Sequence, residues 1–196
     1  MTKRAKYRFL ILNLLEDIFA IILAIVLVLA FFRFVMQPIT IDGTSMIPTL
    51  KDKENILVKK IGSKLNYDRY DIIVFKPYDE DDPSTPEDES DTLFIKRIIG
   101  LPGETVCVAE NGEITITNSN GNSIILNDDP FKQEKYNKGI DWDQTDTERY
   151  ETVTLGKDEY FVMGDNRQNS HDSRSTELQG IHSGCILGKY VFKIPF

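Results

Sequence analysis

Leu93-Phe94-Ile95-Lys96-Arg97-Ile98-Ile99 is a short, isoleucine-rich run of the kind that packs on a pleated surface. Read as a strand, its period-two alternation puts Lys96 on the face of Phe94 and Ile98, and Arg97 on the opposite face. A lysine between two large apolar neighbours in a packed sheet loses hydration, which penalises its ammonium form. Desolvation of that size lowers the pKa from about 10.4 to about 7 or 8 and makes the amine a general base. The plainer reading of a strand lysine, a stem along the sheet with its head in water, stays open at this point.

Similar runs flank this one: Glu54–Ile61, Tyr70–Phe75, Thr105–Val108, Glu113–Thr117, Ser123–Leu126, Tyr150–Leu155, Tyr160–Met163 and Cys185–Ile194. Gly, Asn, Asp and Pro separate them, and no long amphipathic pattern intervenes. This predicts a mainly β body of sheet or barrel type. Asn111-Gly112, between Val106-Cys107-Val108 and Ile114-Thr115-Ile116, is a hairpin turn signal. No internal repeat is visible.

The N-terminal region has another character. Ile18–Phe32 runs 15 residues without a charge, and Phe34, Val35 and Met36 extend the apolar segment past Arg33. A bilayer core needs roughly 20 helical residues. Residues 14–36 meet that length if Glu16, Asp17 and Arg33 sit at the headgroups. The other readings are a buried helix and a removable signal peptide. Val28-Leu29-Ala30 has the look of a cleavage site, yet Phe31 and Phe32 continue the apolar run beyond it. An uncleaved anchor is expected. Lys3, Arg4, Lys6 and Arg8 precede it, so residues 1–13 are expected in the cytoplasm and 37–196 outside. Pro38 is a natural stop for the helix.

The whole chain of 196 residues has room for one common-sized domain plus this attachment. With 23 Lys and Arg against 31 Asp and Glu, its net charge is −8, which argues against nucleic-acid binding. Asp79–Asp91 holds eight acids and no base, so it carries that entire charge. It reads as a mobile acidic loop and not as a calcium site, since EF-hand spacing is absent. Residues 118–149 are polar and read as an elaboration on the β body. Two cysteines, Cys107 and Cys185, are too few for a disulfide scaffold, and their pairing stays open.

Only His171 and His182 are available to a histidine mechanism. Ser170-His171-Asp172 spells a triad, but chain neighbours cannot form the relay. His182 and Cys185 lack the further ligands a metal site needs, and no cofactor is expected. A serine acting with a lysine remains. Ser45 lies in Asp42-Gly43-Thr44-Ser45-Met46-Ile47-Pro48-Thr49, where Gly43 and Pro48 favour a fixed turn. Gly164–Arg174, GDNRQNSHDSR, follows the apolar run Tyr160–Met163. It reads equally as a solvated loop or a site-building one.

Together, the N-terminal anchor, Ser45–Leu50 (SMIPTL), Tyr70–Phe75 (YDIIVF), Lys96–Glu104 (KRIIGLPGE) and Gly164–Arg174 closely resemble type I signal peptidases, in order and in spacing. The resemblance leaves out the acidic loop and residues 118–149. It implies a β-rich Ser-Lys peptidase domain of the SH3-barrel-like, LexA type, with an inserted β-rich elaboration at about 109–156. It implies Ser45 as nucleophile and Lys96 as general base, with Ser170 orienting the amine. Asp165, Arg97, Asp172 and Arg174 would support the site through ion pairs, and Met46 would line the substrate cleft beside Gly43 and Thr44. Some relatives carry a serine two positions before the nucleophile whose hydroxyl helps build the oxyanion hole. Gly43 stands there in this chain, so the donors would be backbone N–H groups, Ser45's included. The expected partners are exported preproteins, cut after Ala-x-Ala-like small residues, and the lipid bilayer. A self-cleaving Ser-Lys repressor-type peptidase fits the dyad but not the anchor or the charge. A non-catalytic assembly chaperone at the cell surface has no need of an activated nucleophile.

Overall fold

The computed structural model describes residues 3–60, 67–77, 92–109, 112–127 and 152–195. The acidic stretch 79–91, and residues 128–149 of the polar elaboration, lie outside these. The chain opens with one long helix, α1 (Lys3–Phe34). Its apolar part, Ile11–Phe34, has a mean hydropathy of 2.7, and none of its residues is buried among the described residues. The helix stops two residues before the Met36 boundary read from hydropathy, because Met36 already pairs with Lys59 in a sheet.

That sheet starts with β1 (Met36–Thr40) and β2 (Asn55–Lys59), antiparallel to each other. Pro38, read from sequence as a helix stop, sits inside β1. The position tolerates it because β1 is an edge strand and an outward N–H is not needed. After β3 (Ile72–Phe75) comes β4 (Phe94–Gly100), which contains the lysine run. β5 (Thr105–Val108), β6 (Ile114–Thr117), β7 (Ser123–Ile125) and β8 (Val153–Thr154) follow. The last strands are β9 (Glu159–Met163), β10 (Ile181–His182) and β11 (Ile186–Lys193). Among the described residues these form a seven-stranded sheet in the order β1-β2-β11-β3-β4-β9-β10, and a four-stranded sheet in the order β7-β6-β5-β8.

The smaller sheet is inserted between β4 and β9, which pair with each other. It begins at Thr105, not near residue 109, since β5 takes both its partners, β6 and β8, from the insertion. Gly112, at φ +79°, donates its N–H to Ala109 O at the β5–β6 turn. Cys107 and Cys185 are not joined by a disulfide.

Three apolar clusters fix the placement of the strands. On one face of β3 and β9, Ile73, Phe75, Tyr160 and Val162 meet Ile98 of β4 and Leu178. On the other face of β3, Ile72 and Val74 meet Ile56, Val58, Met46 and Leu50. Phe161 and Met163, on the other face of β9, meet Val106, Ile114 and Ile116 of the inserted sheet. Both β3 and β9 are thus covered on two sides, which is why they read as unbroken apolar runs.

Candidate active site

The site forms where three segments meet: the turn after β1, the middle of β4 and the loop after β9. Ser45 lies in the first. Gly43, at φ +113°, reverses the chain in a conformation that a residue with a Cβ resists. Its N–H donates to Asp52 Oδ1 at 2.8 Å, and Lys53 Nζ donates to Asp42 Oδ1 at 2.6 Å, closing the loop at its base. The loop then coils so that Leu50 N–H reaches Met46 O at 2.9 Å. Met46 and Leu50 therefore point together into the core with Ile41 and Ile56. Met46 is 1% exposed, so it forms the floor under the turn and not the open cleft wall expected of it.

Lys96 arrives from β4. Its strand pairs with β3 and β9 on both edges, and the side chain is 4% exposed. Nζ donates to Ser45 Oγ at 2.9 Å and to Ile95 O at 3.0 Å, and lies 5.2 Å from the centre of the Phe94 ring. Burial pushes the amine down to about 8; Asp172 pulls the other way and Arg174 adds a smaller push down. The strand register thus delivers an amine able to lose its charge near neutral pH beside a hydroxyl.

The third segment, Gly164–Arg174, is held by buried ion pairs. Arg97 makes a two-pronged contact with Asp165, Nε to Oδ1 at 2.7 Å and Nη2 to Oδ2 at 2.6 Å, while Nη1 donates to Tyr70 O at 2.8 Å. Arg174 grips Asp172 in the same way, at 2.7 and 2.8 Å, and donates to Arg167 O at 2.7 Å. Burial alone would raise the Asp172 carboxyl, but Arg174 and the Gly164 N–H, at 2.9 Å, hold it below the usual carboxylate range. Asp165 and Asp172 are each 1% exposed, so neither could stay ionised without these partners. Ser173 is also buried and ties the loop to β9, its Oγ accepting from Val162 N–H at 3.0 Å.

Ser170 Oγ is buried near this carboxylate and makes no hydrogen bond of acceptable geometry among the described residues. Ser170 packs against Gly164, where a Cβ would overlap its hydroxyl and come within 2.5 Å of Ser45 O. The missing side chain at 164 is what lets the serine turn and the Gly164–Arg174 loop touch.

Two further residues fasten that contact. Asn166 N–H donates to Ser45 O at 2.9 Å, and its Nδ2 donates to Thr44 O at 3.1 Å. Asn169 Nδ2 donates to Thr44 Oγ1 at 3.0 Å. Sequence reasoning singled out neither, because asparagines in a polar strand-end stretch look the same whether they face water or another loop. His171 stands edge-on to Phe94, with Nε2 3.5 Å from Glu177 Oε2, and His182 Nδ1 accepts from Gly184 N–H. Among the described residues no group of three ligating side chains gathers around a common point.

Chemically, this is a hydroxyl beside a desolvated amine, on a loop whose backbone N–H groups can face developing negative charge. Such a set suits acyl transfer through a covalent intermediate. A family model described as signal peptidase, peptidase S26, matches residues 14–194. Signal peptidase I S of Bacillus subtilis is 37% identical over 169 residues, covering 83% of this chain and 79% of its own. Signal peptidase IB of Staphylococcus aureus is 33% identical over 188 residues, covering 94% and 91%. A crystal structure of a signal peptidase I from Enterococcus faecalis overlaps 64% of this chain and 97% of its own, at 26% identity and a TM-score of 0.37. With residues 14–194 spanned by its family model and such relatives along nearly its whole length, this chain belongs to the S26 family of signal peptidases.

Proposed function

We propose that this membrane signal peptidase removes signal peptides from exported preproteins with Ser45 as nucleophile and Lys96 as general base. The observation that carries the reading is the 2.9 Å contact between Lys96 Nζ and Ser45 Oγ at an amine pushed down to about 8. Neutral Lys96 accepts the Ser45 proton as Oγ attacks the scissile carbonyl. The tetrahedral oxyanion is met by backbone N–H groups, Ser45's included. The ammonium formed on Lys96 returns its proton to the leaving amine, which departs as the new N-terminus of the mature protein. A water, deprotonated by the same lysine, then hydrolyses the acyl-enzyme and frees the signal peptide. In this reading Ser170 turns its Oγ, without a hydrogen bond among the described residues, toward the amine to orient it, and Asp172 and Arg174 act on the amine through their charges.

The extended substrate lies along the exposed turn at Gly43–Thr44 and is cut after small residues of the Ala-x-Ala kind. With the apolar part of α1 in the bilayer, the four basic residues Lys3, Arg4, Lys6 and Arg8 before that part and the β body after it, residues 1–13 lie in the cytoplasm and the peptidase outside.

The test is release of mature product from a labelled preprotein, with its new N-terminus identified. Ser45→Ala and Lys96→Ala should each fold and release nothing. Lys96→Arg should fail too, because guanidinium keeps its proton throughout the working range. Product from any of the three at the parent rate would remove this mechanism.

A further inference from the structure

We infer that Asn166 is a positioning residue that aims the Ser45 N–H at the reacting carbonyl oxygen; the inference rests on the reading of Ser45 as nucleophile. The C=O of Thr44 and the N–H of Ser45 belong to one planar trans peptide unit, so they point in opposite directions. Fixing one fixes the other. Asn166 Nδ2 takes hold of Thr44 O at 3.1 Å, and Ile47 N–H reaches the same oxygen at 3.2 Å. Both hold the carbonyl on one side of the turn, and the Ser45 N–H is thereby turned to the other. Among the described residues that N–H has no acceptor of its own. The neighbouring peptide units are held as well: Gly43 N–H by Asp52 Oδ1 at 2.8 Å, and Ser45 O by Asn166 N–H at 2.9 Å. The Ser45 amide is thus the donor left over in a turn whose flanks are pinned.

The arrangement matters in this chain because Gly43 supplies no hydroxyl. With one side-chain donor fewer, the burden on the backbone donor rises, and a donor is worth most when its direction is set before reaction. Asn166 does this from outside the turn. Its backbone N–H keeps the loops docked whatever side chain it bears, so the side chain can be altered without undocking them.

The test compares Asn166→Ala and Asn166→Asp with the full-length parent in detergent, on a soluble signal-peptide substrate and on a peptide aldehyde that forms a tetrahedral adduct at Ser45. Both variants should lose about tenfold or more in kcat with KM within twofold, and bind the aldehyde weaker by the same factor. The pH midpoint near 8 should not move, since Lys96 is untouched. Aspartate has the shape of asparagine but presents an oxygen to Thr44 O, so it should do no better than alanine. If Asn166→Asp retains parental kcat, or if the loss falls on KM while aldehyde affinity is unchanged, the assignment is overturned. Ser45→Ala run alongside separates the two ideas: an active Ser45→Ala defeats the nucleophile reading itself, whereas an inactive one beside an unimpaired Asn166→Ala defeats only this inference. Should alanine at 166 fail to fold, the isosteric aspartate decides.

Discussion

At Lys96 one side chain carries a cost for the fold and a benefit for the chemistry. Its lowered pKa means that the folded protein binds fewer protons than the unfolded chain between about 8 and 10.5. Stability from this group therefore rises with pH across that window, and below it the full desolvation cost stands. That cost is roughly 3 kcal/mol, from the span of the shift. Lys96→Met should accordingly be inactive but more stable at pH 7, by up to about 3 kcal/mol, in denaturant melts. Activity should rise with pH through about 8 as the amine loses its proton, and a flat kcat/KM profile between pH 6 and 9 would exclude Lys96 as the base. The placement of Lys96 was legible because period two needs only the strand and its neighbours. Ser170 came only from the resemblance, and Asn166 was not singled out, since its role depends on a loop folding over a turn more than a hundred residues away. Nor was Gly164 singled out from its motif. An added methyl there would overlap Ser170 and crowd Ser45 O. Gly164→Ala should cost about 1–3 kcal/mol by overpacking, and at least tenfold in kcat. A thermal melt and a kinetic assay on one sample check both.

Among the described elements, the loop from Gly164 to Arg174 is held chiefly by its charges. It follows β9 and has little regular structure, so its shape comes from Arg97–Asp165 and Arg174–Asp172, both buried pairs with two contacts each. A buried pair adds little over an apolar replacement, but losing one partner leaves the other charge in low dielectric. Asp172→Asn should therefore destabilise the protein by about 3–5 kcal/mol through the stranded Arg174. The pH dependence follows the lowered Asp172 carboxyl: its contribution is full above the normal carboxylate range near pH 4 and is lost as pH falls through the folded-state value. Acid unfolding followed by circular dichroism should begin at higher pH in Asp172→Asn. In sequence the strands of this fold are easier to read than its loop. β2 to β9 and β11 all lie within or nearly within the runs read from the sequence. β1 was hidden by Pro38 and by its continuity with the apolar helix. β10 was hidden by its length of two residues, which carries no period.

At the scale of the whole molecule, the anchor and the peptidase body are separable by packing and joined by function. None of the three core clusters includes a residue of α1, and no residue of Ile11–Phe34 is buried among the described residues. Stability of the body should thus owe little to the helix, whose apolar surface needs lipid. What α1 contributes is location. A signal peptide resides in the same bilayer, so an enzyme held there meets it at an effective concentration set by a two-dimensional search. Removing residues 1–34 should leave kcat/KM on a soluble peptide within about twofold of the parent, while processing of a preprotein embedded in vesicles falls by about a hundredfold at equal enzyme. The two substrates must be compared on the same preparation, because a misfolded fragment would lose both activities and a proximity effect only one. If the truncated enzyme processes the embedded preprotein as fast as the full chain, membrane proximity contributes nothing to turnover, and the helix serves only to keep the enzyme in its compartment.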